Sequence, residues 1–488
     1  MEIKTVDDAA VDSSTVGNTT GNTTVDNSNP LPNRLPKPPI QQLIDWIVDP
    51  VRYQVQGRQQ FGDVFTANLS GLGSMVVISD PKMIQELLSC DPNKFDIGRG
   101  NTLISPLLGT TTLLMLDGEA HRNKRKLLMP SFHGERLQTY AQQIEESIAS
   151  TTQQWQPGKP FAMLTAARQL GLKIIIKVVF GVREGERYDE LTPLMRAWLH
   201  VLDSPFRASF IFLKFLQRDF GQWYPWTRIQ KRQQRLHELL QAEIDERRAS
   251  EDSDRTDILS LLMAARDENG QGMHDEELRS ELLMLLLAGH ETTAISISWM
   301  LYQVYQNPAI IDRLRQEIAS LGDNANPLAI LQLPYLNAVC QETLRMYPVA
   351  TLLFPRIPKE PITLAGQTFP EDVPLVPSIY LVHYREDLYP NPHEFRPERF
   401  LERQYAPSEY FPFGGGNRRC IGSALAQMEM KLALAHVVQR YEMLSVDSRP
   451  VALGRRGFTF GPQTDVGMVV TSRRKAPNSV SVASGQVQ

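Results

Sequence analysis

The sequence predicts a mainly α fold with a small β part (α+β), gathered into a single large domain. Three observations predict it. Apolar residues recur with the helical period through 135–151, Thr227–Arg248 and Asp275–Tyr305. Strand-like alternation is confined to one early pair, where "DVFTANLSGLGSMVVIS" turns at Gly71 to Gly73, and to Pro-rich stretches after about residue 349. No repeat, composition break or Gly/Ser linker interrupts residues 40–472, so the 488-residue chain is read as one domain, although its length alone suggests about three.

Taken in order, residues 1–39 are expected to be a disordered polar and Pro-rich segment. The first 30 are rich in Thr, Asn and Asp and lack aromatic residues, too little apolar surface to offset the entropy of ordering. "PLPNRLPKPP" then makes a stiff lead-in. The aromatic run 210–226, "FIFLKFLQRDFGQWYPW", is expected to pack between helices, its functional reading being an apolar mouth for a greasy substrate. Residues 473–488 are expected to form a disordered tail.

Charge and cysteine usage narrow the function. A net charge of -4 and a pI near 6.2 provide no basic field for nucleic acid or an anionic membrane. Cys90, Cys340 and Cys420 are too scattered for a disulfide framework, which fits a reducing compartment. The N-terminus lacks the basic start and apolar core of a signal peptide, and no apolar run reaches the roughly 20 residues of a membrane span. The expectation is a cytoplasmic monomer.

Two stretches carry chemistry. In "LLMLLLAGHETTAISIS", Leu282 to Ser298, an oily helix holds Ala288, Gly289, His290, Glu291 and Thr292 where it should be driest. In "FPFGGGNRRCIGSALAQMEMKLALAHVV", three glycines precede Cys420 and a long helix follows. Glycines let backbone amides turn toward a point that bulkier residues cannot approach. A thiolate there would gain amide hydrogen bonds and the positive end of a helix. Rival motifs fail by count. A zinc-protease helix would need its second histidine at Ala294, and "GGGNRRC" has neither dinucleotide-loop nor phosphate-loop spacing.

The spacing Phe413, Gly416, Arg418, Cys420, Gly422 resembles the heme-binding loop of the cytochrome P-450 family. That resemblance implies heme b, with Cys420 as thiolate ligand of the iron, Phe413 and Gly414 packed near the sulfur, Gly422 following it, and Arg418 aimed at a propionate. A thiolate ligand favours cleavage of the bond in dioxygen, the co-substrate. "AGHETT" resembles the family's oxygen-binding helix motif. Ala288 and Gly289 would leave room beside the iron, with a local widening of the helix at Gly289; Glu291 would relay protons and Thr292 would hold them. An acid in an apolar setting favours its neutral form, which suits that delivery. His290 is read as structural.

The resemblance extends along the chain. Glu342 and Arg345, three apart, with Arg399 match the family's charged clamp, a structural element. His121 and Arg125 in "DGEAHRNKRKLLMPSF", and Arg356 in "FPRIPKE", match propionate-binding positions, although the family often has Trp where this chain has His121. Arg122, Lys124, Arg125 and Lys126 form a basic run on a helix where an acidic electron donor would dock. No flavin or iron–sulfur module is legible, so a separate ferredoxin or flavodoxin with its reductase is expected. Contacts to substrate are expected from 101–116, around Phe210, from 285–292, 350–354 and 458–460, mostly apolar positions. The implied reaction is monooxygenation, hydroxylation or epoxidation, of a long-chain fatty acid, hydrocarbon or terpenoid, most like the cyanobacterial branch. Two alternatives stand beside it: a heme-thiolate peroxygenase or isomerase, which would alter the acid–alcohol pair, and a non-enzymatic heme sensor, which would have no use for it.

Overall fold

The computed structural model describes residues 31–474, apart from 135, 183–184, 201–215, 219–220, 222, 251–254, 323–325 and 448. Its longer helices are α1 (Pro39–Val48), α2 (Pro50–Phe61), α3 (Pro81–Ser89), α4 (Gly118–Leu128), α5 (Arg136–Thr152), α6 (Met163–Ile174), α7 (Glu186–Leu199), α8 (Pro225–Ala249), α9 (Asp275–Tyr305), α10 (Pro308–Ala319), α11 (Pro334–Met346) and α12 (Ser423–Arg440). The helical periods therefore fold as expected, and α9 has the expected bounds. Local chemistry sets several of their starts. Asp49 accepts from the Arg52 amide at the head of α2, and Asp80 from the Met83 amide at the head of α3. Asp275, Glu276 and Glu277 crowd the first turn of α9 against its positive end, and Glu277 also accepts from the His274 amide.

The strand part is small. β1 (Val64–Leu69) and β2 (Gly73–Ile78) form the expected hairpin, Val64 opposite Ile78, with Gly71 and Gly73 at φ 79° and 84° in the turn. Leu375–Pro377 adds to β2 in parallel, a long-range pairing that local pattern does not reveal. Short strands at Phe95–Asp96 and Pro160–Ala162 also precede residue 349, where none beyond the hairpin was expected; they are too brief to show a period. A second hairpin pairs Leu453–Arg456 with Thr459–Pro462.

The Pro-rich lead-in corrects the expectation that residues 1–39 are disordered throughout. Asn33 accepts from the Thr66 amide at 2.8 Å, and Leu35 is buried in a small core with Tyr53, Phe65 and Val77. Proline stiffness here presents carbonyls to β1. Residues 1–30 and 475–488 lie outside the described residues.

The main core gathers around α9, with α6 and α12 packed against it and α5 packed on those two. Among the described residues α9 is the helix long and apolar enough to cross a membrane, yet 72% of its most apolar window is buried inside the fold. It is the central strut of a packed interior. In the aromatic run, Trp226 is buried as packing requires, Trp223 is exposed beside Arg228, and Phe210 lies outside the described residues.

Candidate heme-thiolate site

The cysteine loop is built on backbone that only glycine adopts easily. Gly414 and Gly416 have φ 72° and 65°. A Cβ on Gly415 would come within 2.7 Å of Leu88 Cδ1, and one on Gly416 within 2.8 Å of the Leu88 carbonyl oxygen, so the loop lies hard against the end of α3. Around Gly422 a Cβ would meet open space. The Cys420 amide donates to the Phe413 carbonyl at 2.9 Å, while the Phe413 side chain packs on the main core.

Cys420 is accessible, although protein surrounds its sulfur on most sides. Burial pushes the thiol above its ordinary range; the Gly422 amide, Arg125 and Arg419 pull it the other way. The amide and the two guanidinium charges therefore favour the thiolate, but they do not outweigh desolvation. A bound metal cation would tip that balance, because a coordinating thiol is deprotonated outright.

Around the loop stand four nitrogen-bearing side chains. Arg356 is buried, not a surface residue; it donates to the Gly415 carbonyl at 3.2 Å, and burial, with Arg418 adding to it, pushes its guanidinium down to about 10. His121 is buried in α4. Burial first, then the positive charges of Arg418 and Arg125, push its imidazole down to about 4, and its Nδ1 has no hydrogen-bond partner. Burial also lowers Arg125, against the pull of Cys420. Arg418 donates to the Leu113 carbonyl at 3.3 Å, to the Leu116 carbonyl and to Asp117 at 2.6 Å, leaving Nε without a partner. Orphaned donors amid crowded cations are the chemistry of an anion site.

On α9, Ala288 is exposed and Thr292 partly so, although Leu282 to Leu286 and Thr293 to Leu301 are buried. The Thr292 hydroxyl donates to the Ala288 carbonyl at 2.6 Å, a bond one turn back. Two expectations are corrected here. Glu291 is not in an apolar setting: Arg168 on α6 grips both its oxygens, Nε at 2.7 Å and Nη2 at 2.6 Å. Nor does α9 widen at Gly289. It stays α-helical, and a Cβ on Gly289 would lie 3.4 Å from Ile175 Cδ1, so this glycine faces the neighbouring helix. The π-helical turn sits instead at Ile175–Val179, directly after α6. Mid-helix π geometry has no sequence signal as plain as a glycine. His290 places Nε2 3.0 Å from the Arg168 carbonyl, a structural contact.

The charged clamp is fully buried. Arg345 binds Glu342 at 2.7 and 2.9 Å, and Arg399 reaches the same carboxylate at 3.0 Å. Arg345 also donates to the carbonyls of His383 and Pro392, so this triad is satisfied on every side. The basic run of α4 is not one solvated face: Arg122 and Lys126 are exposed, but Lys124 turns inward to Glu277 at 2.9 Å. Two polar groups escaped sequence reading. Arg168 is separated from Glu291 by 123 residues; its one visible signal is a charge in the middle of the apolar helix "MLTAARQLGLKI". Glu281 lies immediately before the oily stretch and looks like its solvated end, yet its side chain is fully buried.

A glycine loop presenting a cysteine ahead of a helix, an anion-seeking cluster beside it and an accessible alcohol on a core helix define a heme-thiolate enzyme. The cytochrome P450 family model matches residues 34–465, and the chain belongs to that family. It is 35% identical to putative cytochrome P450 135B1 of Mycobacterium tuberculosis over 80% of this chain and 81% of the relative. It is 30% identical to putative cytochrome P450 138 of the same species over 91% and 97%. Among solved structures, the cyanobacterial CYP120A1 bound to retinoic acid superimposes with TM-score 0.78 at 24% identity, covering 91% of this chain and all of that one. The P450DA heme domain also gives 0.78, at 23% identity, covering 91% of this chain and 98% of that chain. Both share the fold. The chain is thus a cytochrome P450 monooxygenase that uses heme b and dioxygen.

Proposed function

We propose that Cys420 is the iron ligand and that heme lies between the cysteine loop and the accessible stretch of α9. The observation that carries this is the pairing of an accessible Cys420 with accessible Ala288 and Thr292 inside otherwise buried surroundings. Arg418, Arg125, Arg356 and the neutral donor His121 would hold the propionates; the unpartnered nitrogens of His121 and Arg418 fit that role. When bound, heme supplies the site at which dioxygen is reduced and cleaved. Thr292 donates its hydroxyl hydrogen bond to the Ala288 carbonyl, which leaves its lone pairs to accept a hydrogen bond from the proton being delivered. Glu291, held by Arg168, would take up a proton from solvent once the guanidinium lets it turn, and pass that proton on through water.

The substrate class is apolar: a long-chain fatty acid, hydrocarbon or terpenoid, oxidised next to α9. Leu285 and the partly buried Leu287 beside Ala288 support it, as does the second hairpin, where the Phe460 amide meets the Val349 carbonyl at 2.8 Å. Electrons come from a separate ferredoxin or flavodoxin in the reducing cytoplasm, and the exposed Arg122 and Lys126 offer it charge. The test is spectral titration of the heme-loaded protein with fatty acids, terpenes, steroids and polar metabolites. The reading expects water displacement from ferric heme by an apolar lipid or terpenoid alone. Response to the polar set, with none to the apolar one, would reject it.

A further inference from the structure

Glu281 shares a face of α9 with Leu285, Ala288 and Thr292, at helical spacings of four, three and four. One oxygen of its carboxylate accepts the Leu113 amide at 2.7 Å and lies 3.8 Å from Lys124 Nζ; the other, Oε2, has no partner. The carbonyl of that same Leu113 accepts from Arg418. One residue of the loop before α4 is therefore held from α9 by Glu281 and from the cysteine loop by Arg418. Lys124 closes the arrangement, donating to the Thr111 carbonyl at 2.8 Å and to Glu277 at 2.9 Å. The groups that face Glu281 are Lys124 from α4, Glu277 from its own helix, and the Leu113 amide from the loop.

A buried carboxylate with half its oxygens satisfied stabilises a fold less than a well-packed apolar side chain would. Its effect is directional, since it fixes where one amide sits. We propose that Glu281 is a positioning residue of the heme cradle: through the Leu113 peptide it sets Arg418, and so the anion-binding end of the cradle, from the far end of α9. The inference rests on the reading of Arg418 as a propionate partner. It gives one helix two duties, carrying the alcohol that faces the reaction and bracing the residue that holds the cofactor from the other side.

The experiment measures transfer of heme to excess apomyoglobin, and the ferric/ferrous midpoint potential, in the heme-loaded protein and in Glu281→Gln, Glu281→Asp and Glu281→Leu. The amide of Gln still accepts the Leu113 N–H, so that variant should stay within about twofold of wild type, while Asp, too short, and Leu, with no acceptor, should lose heme about tenfold faster, the scale seen when a group that orients a ligand-holding residue is removed. Arg418→Lys keeps a positive charge but removes the fork that reaches Leu113, and in that background the Asp and Leu variants should have little further effect, because residues acting through one another are not additive. Wild-type heme loss in both the Asp and Leu variants, or an undiminished tenfold effect beside Arg418→Lys, overturns the proposal. If the Leu variant does not accumulate, the Asp variant decides alone. The reduced CO spectrum of each protein reports Cys420 separately; a wild type lacking the thiolate band would fail the heme-thiolate reading itself.

Discussion

Glu281 and Glu291 stand ten residues apart on α9, and the helix treats them oppositely. Glu291 is partly exposed and gripped at both oxygens by Arg168. Glu281 is fully buried, with one backbone amide at 2.7 Å, a lysine at 3.8 Å and a bare oxygen. Burial, opposed by Lys124 and the Leu113 amide, pushes its carboxyl up to about 7. Burial, more than the oiliness of the surrounding sequence, sets the form of Glu281. Glu291 is fixed by a guanidinium counter-charge, Glu281 by a peptide amide.

The widest separation between the two should appear in stability against pH. The folded state keeps a proton on Glu281 that the unfolded chain releases, so this carboxyl's contribution is whole below about pH 4.5 and is lost as pH rises toward about 7. The loss should be about 3 kcal/mol. Glu281→Gln should flatten that component in urea unfolding compared at acid and mildly alkaline pH; parallel curves would mean that Glu281 is charged in the fold. A smaller effect is expected at the other acid. Arg168→Leu should cost about 2 kcal/mol, between the surface and buried ranges for ion pairs, and Glu291→Gln in the same chain should recover most of it. A single variant as stable as wild type would show that the pair is worth no more than a surface contact. Smallest is Gly289→Ala, whose Cβ meets Ile175 at ordinary contact distance; it should change stability by no more than about 1 kcal/mol, in the stabilising direction. A marked change in its ferric heme spectrum would return Gly289 to the cofactor's side of the helix.

Much of the fold was legible because its signals are local. The helical period marked α9 to the residue, and two glycines marked the β1–β2 turn. The cysteine loop was legible as spacing, and its glycines prove to be demanded by Leu88. What stayed hidden is long-range. Nothing near Glu291 announces Arg168, and nothing near Lys124 tells that it turns inward to Glu277 while its neighbours Arg122 and Lys126 face solvent. The misplaced widening has the same origin: Gly289 invites a bulge, but the close approach it permits is to Ile175, at the start of the π turn that the structure does contain.

The central claim is that the sulfur of residue 420 binds iron. The direct measurement is the absorbance of the reduced, CO-bound protein in wild type and in Cys420→His, both loaded with heme. The account predicts the red-shifted thiolate band in wild type and its disappearance in the variant, with heme retained. Persistence of that band without the Cys420 sulfur would contradict it.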